Sequence, residues 1–263
     1  MASITKYRGK WLKYHTSYEK RAFKTLRKQF NKWNNKVFAL DFNENNINKQ
    51  LIDNIDSKDM FDTYHSIYFS IGSIHGNRVG KDINGELRKD FTIANFMELF
   101  EQNLPLFLNT YGVTRIQQIH QTYLTDIFNM FNQRLKDGKT LKETTAEVFK
   151  VMKSPRFYRW QAKRIARTET TAAANYSAVQ AGSVSGYVME KLWISAMDAR
   201  TRDDHSSTNG QRRPEKSPFS VGGESLMYPG DPNGSAANVV NCRCTVAVVP
   251  KKDANGGLIR IIN

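Results

Sequence analysis

Between residues 5 and 38 the chain places Tyr7, Trp11, Tyr14, Tyr18, Ala22, Leu26, Phe30, Trp33 and Val37 at steps of three or four. That spacing puts all of them on one side of an α-helix and fits no strand. A helix of this length runs to about 50 Å. As core contacts, its aromatic residues need cover along most of that distance, which commits much of the chain to packing beside it.

The positions between the aromatics are cationic: Lys10, Lys13, Arg21, Lys24, Arg27, Lys28, Lys32 and Lys36. Residues 1–36 carry eleven Lys and Arg against one acid, Glu19, so this segment supplies +10 of the chain's net +14. Cation density of this kind suits a polyanion, either nucleic acid or an anionic surface. A solvated helix face, or a basic strip docked on an acidic protein, is the competing reading.

At 263 residues, 40% hydrophobic and 24% charged, the chain has enough apolar material for one large domain or two modest ones. No apolar run reaches the ~18 residues of a membrane span, and no signal-peptide core follows the N-terminus. The protein is expected in cytoplasm, or in something assembled there. Two cysteines, Cys242 and Cys244, exclude a disulfide framework. In an extended strand they would share a face with Cα atoms about 6.5–7 Å apart, at the far edge of disulfide geometry, so reduced thiols are expected.

Taken in order, residues 41–57 read as a loop with a short helical piece. A helix capped by Asp56 or Ser57 runs to about His75, with Phe61, Tyr64, Tyr68 and Ile71 on one face. His65, His75 and, further on, His120 read as packed helix residues rather than ligands. Residues 76–90, with Gly76, Gly80 and Gly85, read as a connector or exposed hairpin. Those glycines match no phosphate-loop spacing. A helix at 91–109, kinked or broken at Pro105, precedes a stronger one from Thr114 to about Leu135 that Gly138 closes. Thr140 and Glu143 form a capping box for a helix to about Met152. Ser154-Pro155 reads as the start of another, the Ala-rich stretch to 181, capped by Gly182. Residues 187–196 and 244–249 alternate as strands, and 258–262 reads as one more. The fold class is therefore α+β: a helical region over 1–153, then a small α+β unit over 154–263 with a short antiparallel sheet and a long irregular loop.

That last unit holds an ordered series of motifs. ARTET lies at 166–170 on the Ala-rich helix. WISAMDARTRDDH follows at 193–205, NGQ at 209–211, PGDP at 229–232 and NCRC at 241–244. In order and spacing, across about residues 155–250, the series resembles the C-terminal domain of the phage Mu F-like minor head proteins. The resemblance implies a virion component with few copies per particle, inside the head at the portal vertex, made in the host cytoplasm. It implies a role in head assembly, genome packaging or delivery, with the portal or the major capsid protein as partner. Packaged DNA is a further partner through the basic helix, and the copies are expected to follow the portal's rotational symmetry. No catalytic residues come with the family.

The motif residues are Arg167, Glu169, Trp193, Asp198, Arg200, Arg202, His205, Asn209, Gly210, Asn241, Cys242, Arg243 and Cys244. One reading makes them a structural network that pins a long loop, since such a loop has many backbone groups to satisfy. A second gives His205, Cys242 and Cys244 to zinc, with Asp198, Asp203 or water as fourth ligand. This second reading carries the rival function of a zinc-dependent enzyme acting on nucleic acid or peptide bonds. The deaminase pattern is absent, because Ser206 and Ser207 follow His205 where H-x-E is required. A Cys242–His205 nucleophile pair has no marked oxyanion hole beside it. The expectation is therefore a non-enzyme with no required cofactor.

Overall fold

A computed structural model describes residues 4–87 and 92–261. The predicted first helix is α1, Ile4–Phe38. Its buried face is Trp11, His15, Tyr18, Ala22, Leu26, Phe30, Trp33 and Val37, while Tyr7 and Tyr14 lie half-buried at the edge. A short 3-10 turn leads into α2, Ile47–Asn54, and then α3, Lys58–Leu87.

α3 corrects one expectation. The predicted connector at 76–90 is helical as far as Leu87, and its last three residues lie outside the described ones. A glycine inside a helix costs about 1 kcal/mol relative to alanine, which made this stretch read as a break. The neighbouring helix explains two of the glycines in α3. A Cβ on Gly72 would stand 2.2 Å from Cζ of Phe100, and one on Gly76 2.0 Å from Cζ of Phe96. Both phenylalanines belong to α4, Ile93–Phe107, and are fully buried.

Pro105 sits inside α4 without breaking it. The chain passes through one π-helical turn, Leu108–Gly112, straight into α5, Val113–Lys136. The capping box at Thr140 and Glu143 opens α6, Leu141–Lys153. Ser154-Pro155 then forms a turn instead of a helix start: Ser154 Oγ accepts from the Arg156 N–H, and Tyr158 takes a left-handed φ of 52°. The Ala-rich helix, α7, begins only at Arg159 and ends at Ser183. Gly182 lies within its last turn and makes room for Val248, since a Cβ there would come within 2.5 Å of Val248 Cγ1.

Among the described residues, five strands follow: β1 (Met189–Ile194), β2 (Arg212–Pro214), β3 (Phe219–Val221), β4 (Glu224–Leu226) and β5 (Thr245–Pro250). Two short helices lie among them, α8 (Asp203–Ser207) and α9 (Ala236–Val239). The main sheet is antiparallel in the order β2-β1-β5, with Trp193 opposite Val246. A separate hairpin pairs β3 with β4. Of the predicted 258–262 strand, the described residues 258–261 form isolated bridges, Tyr187 with Arg260 and Lys252 with Leu258, and residue 262 lies outside the described ones.

α7 is the central element, packed against α1, α3 and β5. Strand alternation divides the sheet. Met189, Trp193, Val246 and Val248 join a core that also contains Trp11, Phe30, Ala166 and Ala173. Leu192, Ile194, Ala247 and Val249 face the other way and are covered by Ile4 and Tyr7 of α1. The first helix therefore reaches both faces of the C-terminal sheet. Among the described residues, no helix is long and apolar enough to cross a membrane.

Candidate functional site

The small residues of α7 allow backbone to approach backbone. Gly230 of the PGDP segment, at φ 83°, lies so near that a Cβ on it would be 2.9 Å from the amide nitrogen of Ala172. One turn along, the fully buried Asn175 links three segments. Its Nδ2 donates to the carbonyls of Thr171, Pro229 and Cys244, and its Oδ1 accepts from Val246 N–H at 2.8 Å and Thr245 Oγ1 at 2.9 Å. Thr168 Oγ1 accepts from the Asn241 N–H, and Thr171 Oγ1 donates to the Cys242 carbonyl. PGDP and NCRC are thus both fastened to one helix.

The motif residues divide into separate contacts. Arg243 meets Asp198 at 2.6 Å. Arg202 donates to the Val240 carbonyl, also at 2.6 Å. Asn209 Oδ1 accepts from Ser195 N–H, and Gly210, at φ 85°, donates its N–H to the Trp193 carbonyl. Trp193 is buried, its indole N–H on Ser195 Oγ. Arg167 reaches out to Glu19 of α1 at 2.9 Å, with Asn241 Oδ1 at 3.5 Å. Glu169 faces away from the loop: Arg115 of α5 lies 3.2 Å from it, and Tyr68 of α3 donates to it at 2.6 Å. Arg200 gives only its backbone N–H to Asp198, and its side chain is exposed.

Where α8 meets the NCRC turn, His205, Cys242 and Cys244 converge. All three are at most 2% exposed, and their ligating atoms lie within 4.8 Å of one another. His205 Nδ1 is 3.4 Å from Cys244 Sγ and 3.6 Å from Cys242 Sγ, while Nε2 faces Asn238 Oδ1 at 3.3 Å. The cysteines are reduced and precede the strand: β5 begins at Thr245, and Asn241 turns the chain at φ 60°. The left-handed Asn241 leads into the pair, and both thiols reach the same side, beside His205. The hydrogen bond between the thiols, then burial, pushes Cys242 up, whereas the same bond, with His205 next to it, draws Cys244 down. Among the described residues neither Asp198 nor Asp203 joins the group.

A family model described as "Phage Mu protein F like protein" matches residues 125–247. That span runs from inside α5 to inside β5 and holds every motif just placed. Residues 125–247 form a Mu F-like domain. A curated relative, the NAD(+)–arginine ADP-ribosyltransferase EFV of Enterococcus faecalis, is 33% identical over 92 residues. The match covers 34% of this chain and 19% of that one, so the chain spans about a fifth of the relative's length. No solved structure matches.

Several residues that tie the Mu F-like domain to the rest lie outside the motif series. α1 crosses the domain with a row of polar contacts from its buried side. Arg8 donates to the Ser195 carbonyl at 2.7 Å and to Asn209 Oδ1 at 3.2 Å, and Trp11 Nε1 donates to the Arg243 carbonyl at 2.7 Å. His15 Nε2 meets Thr171 Oγ1 at 3.0 Å, and Glu19 takes Arg167. The signal for Arg8, His15 and Glu19 was their spacing: they occupy the same helical face as Trp11, Ala22 and Leu26. Lys191, in the middle of β1, is also buried. It donates to the Met227 carbonyl at 2.8 Å, and burial lowers its pKa to about 8. Strand alternation marked that position as inward but gave no sign of how a lysine is accommodated.

The opposite side of α1 is cationic. Lys10, Lys13, Arg21, Lys24, Lys28 and Lys32 are exposed, as is Lys20. The other two basic residues of the predicted strip are engaged: Arg27 donates to the Phe157 carbonyl at 2.5 Å, and Lys36 pairs with Asp59 at 2.9 Å.

Proposed function

We propose that the chain is a minor head protein of a tailed phage, seated inside the head at the portal vertex, with the outer face of α1 turned toward packaged DNA. The observation that carries this reading is the division of labour along α1. One side is committed to the Mu F-like domain by Trp11, His15 and Glu19, and the other leaves a row of cations in solvent. From Lys10 to Lys32 the row extends about 33 Å, long enough to follow several successive phosphates. The Mu F-like domain supplies the head association, and the portal or major capsid protein is the protein partner this implies.

The rival reading, a zinc-dependent enzyme, requires substrate to reach three side chains that are at most 2% exposed. The named activity of the Enterococcus protein stays with that protein, most of which lies beyond the shared stretch.

Because α1 belongs to the core, its charge has to be changed without removing it. Duplex DNA affinity of the full chain should be compared with that of a Lys13→Gln/Lys24→Gln/Lys28→Gln/Lys32→Gln variant at two salt concentrations. A DNA-facing helix gives weaker binding and a shallower salt dependence, by up to about 0.9 in log–log slope for each phosphate that is no longer neutralised. Equal affinities and slopes would remove DNA as a partner. Imaging particles with and without the chain tests the portal vertex independently.

A further inference from the structure

We propose that His205, Cys242 and Cys244 bind one zinc ion, which locks α8 to the NCRC turn. The hydrogens around His205 point to a cation. Asn238 Nδ2 donates to the Val221 carbonyl at 3.4 Å, so Asn238 Oδ1 is the atom left to face His205 Nε2 and takes its N–H. Nδ1 of that tautomer has one lone pair. Two sulfurs nevertheless lie against it, at 3.4 and 3.6 Å. One lone pair accepts one S–H, whereas a cation between the three atoms engages all of them.

The separations fit zinc. Bonds of about 2.3 Å to sulfur and about 2.0–2.1 Å to nitrogen, at tetrahedral angles, place nitrogen and sulfur about 3.6 Å apart. Both observed distances are within about 0.2 Å of that. Two thiolates and an imidazole select a thiophilic ion over magnesium or calcium. The surroundings match a ligand shell as well: Asn238 orients the imidazole, and the Cys244 N–H donates to Cys242 Sγ at 3.4 Å.

Binding balances in charge. Zn2+ takes the place of the two thiol protons, which leave to solvent, so the buried centre is neutral. Among the described residues no fourth His, Cys, Asp or Glu joins the group, so the fourth position is left to a solvent ligand. The alternative without metal is a chain of S–H bonds, Cys242 to Cys244 and Cys244 to His205 Nδ1.

The experiment uses the full chain, produced in zinc-containing medium and purified under reducing conditions. Elemental analysis should give about one zinc per chain, and a chelator strong enough to remove it should lower the melting temperature. Replacement by Co2+ should give sulfur-to-metal charge-transfer absorption together with the visible bands of a tetrahedral site. Cys242→Ala and His205→Gln should each lose the metal. Should those variants fail to fold, zinc content and the cobalt spectrum of the unaltered chain decide the matter alone. Folded protein with less than about a tenth of an equivalent of zinc and no cobalt bands overturns the proposal. So does zinc retained by a folded Cys242→Ala/Cys244→Ala variant.

Discussion

The indole N–H of Trp11 donates to the carbonyl oxygen of Arg243 at 2.7 Å, joining residues 232 apart in sequence. Arg243 stands between the two cysteines of the NCRC turn, and its own guanidinium holds Asp198. The first helix is therefore coupled through one turn to the loop that carries the family motifs. Trp11 is 1% exposed and packs edge-on against His15 and His75.

Replacing Trp11 by Phe keeps most of this packing but leaves the Arg243 carbonyl without its donor. An unsatisfied buried acceptor costs about 1–3 kcal/mol. Trp11→Ala adds a cavity and should cost about 3–5 kcal/mol. Urea midpoints of the two variants measure both. A Trp11→Phe variant as stable as the parent would mean that the hydrogen bond contributes nothing and that α1 is held by apolar contact alone.

Acid should loosen the same region. His15 and His75 are held neutral, each with its pKa lowered from 6.5 to about 3. Burial is the main cause for both, reinforced at His15 by Arg243 and Arg167 and at His75 by Arg78. A backbone hydrogen bond at Arg167 acts in the opposite sense at His15. In the unfolded chain both rings take up a proton near pH 6.5. Their contribution is therefore complete above pH 6.5 and is lost as pH falls toward 3, at up to about 1.4 kcal/mol per pH unit for each. His75 Nε2 has no hydrogen-bond partner among the described residues, and Nδ1 makes only a long contact of 3.5 Å with the Tyr18 hydroxyl, so His75→Phe removes one titration together with that contact. Between about pH 7.5 and pH 5.5 that variant should lose less stability than the parent. Parallel curves would show that His75 takes up its proton equally in both states.

Much of this was legible in the residues, and the exceptions have identifiable causes. Helical periodicity located α1, α5 and α6 because long stripes and a complete capping box are local signals. The motif series located the Mu F-like domain because it depends on order and spacing rather than on contacts. What escaped were positions whose meaning comes from a distant partner. Tyr7 and Tyr14 looked like centres of the α1 stripe, yet Arg8, His15 and Glu19 share it, because the surface opposite them carries polar groups: the Ser195 carbonyl of the loop, and Thr171 and Arg167 of α7. Asn175, a poor helix former within an alanine run, marked the place where PGDP and NCRC meet, but only the fold shows what it bonds. Cys242 and Cys244 share a side, as their spacing suggested, but the strand begins only at Thr245, and His205 beside them comes from a helix 37 residues earlier.

The glycines of α3 show the same dependence on a distant partner, and theirs can be measured. Gly76 read as the start of a connector and Gly72 lay unremarked inside the predicted helix, although both sit where Phe96 and Phe100 of α4 press against the backbone. In an open helix, Gly→Ala stabilises by about 1 kcal/mol. Here the added methyl would stand 2.2 Å from the Phe100 ring and 2.0 Å from the Phe96 ring, so Gly72→Ala and Gly76→Ala should each destabilise, by about 1–3 kcal/mol. Relief should be specific to the pair. Phe100→Leu should recover stability in the Gly72→Ala background and lower it in the parent, and Phe96→Leu should do the same for Gly76→Ala. Thermal melting of the two double-mutant cycles gives the coupling directly. Additive effects would show that α4 does not lie on these glycines.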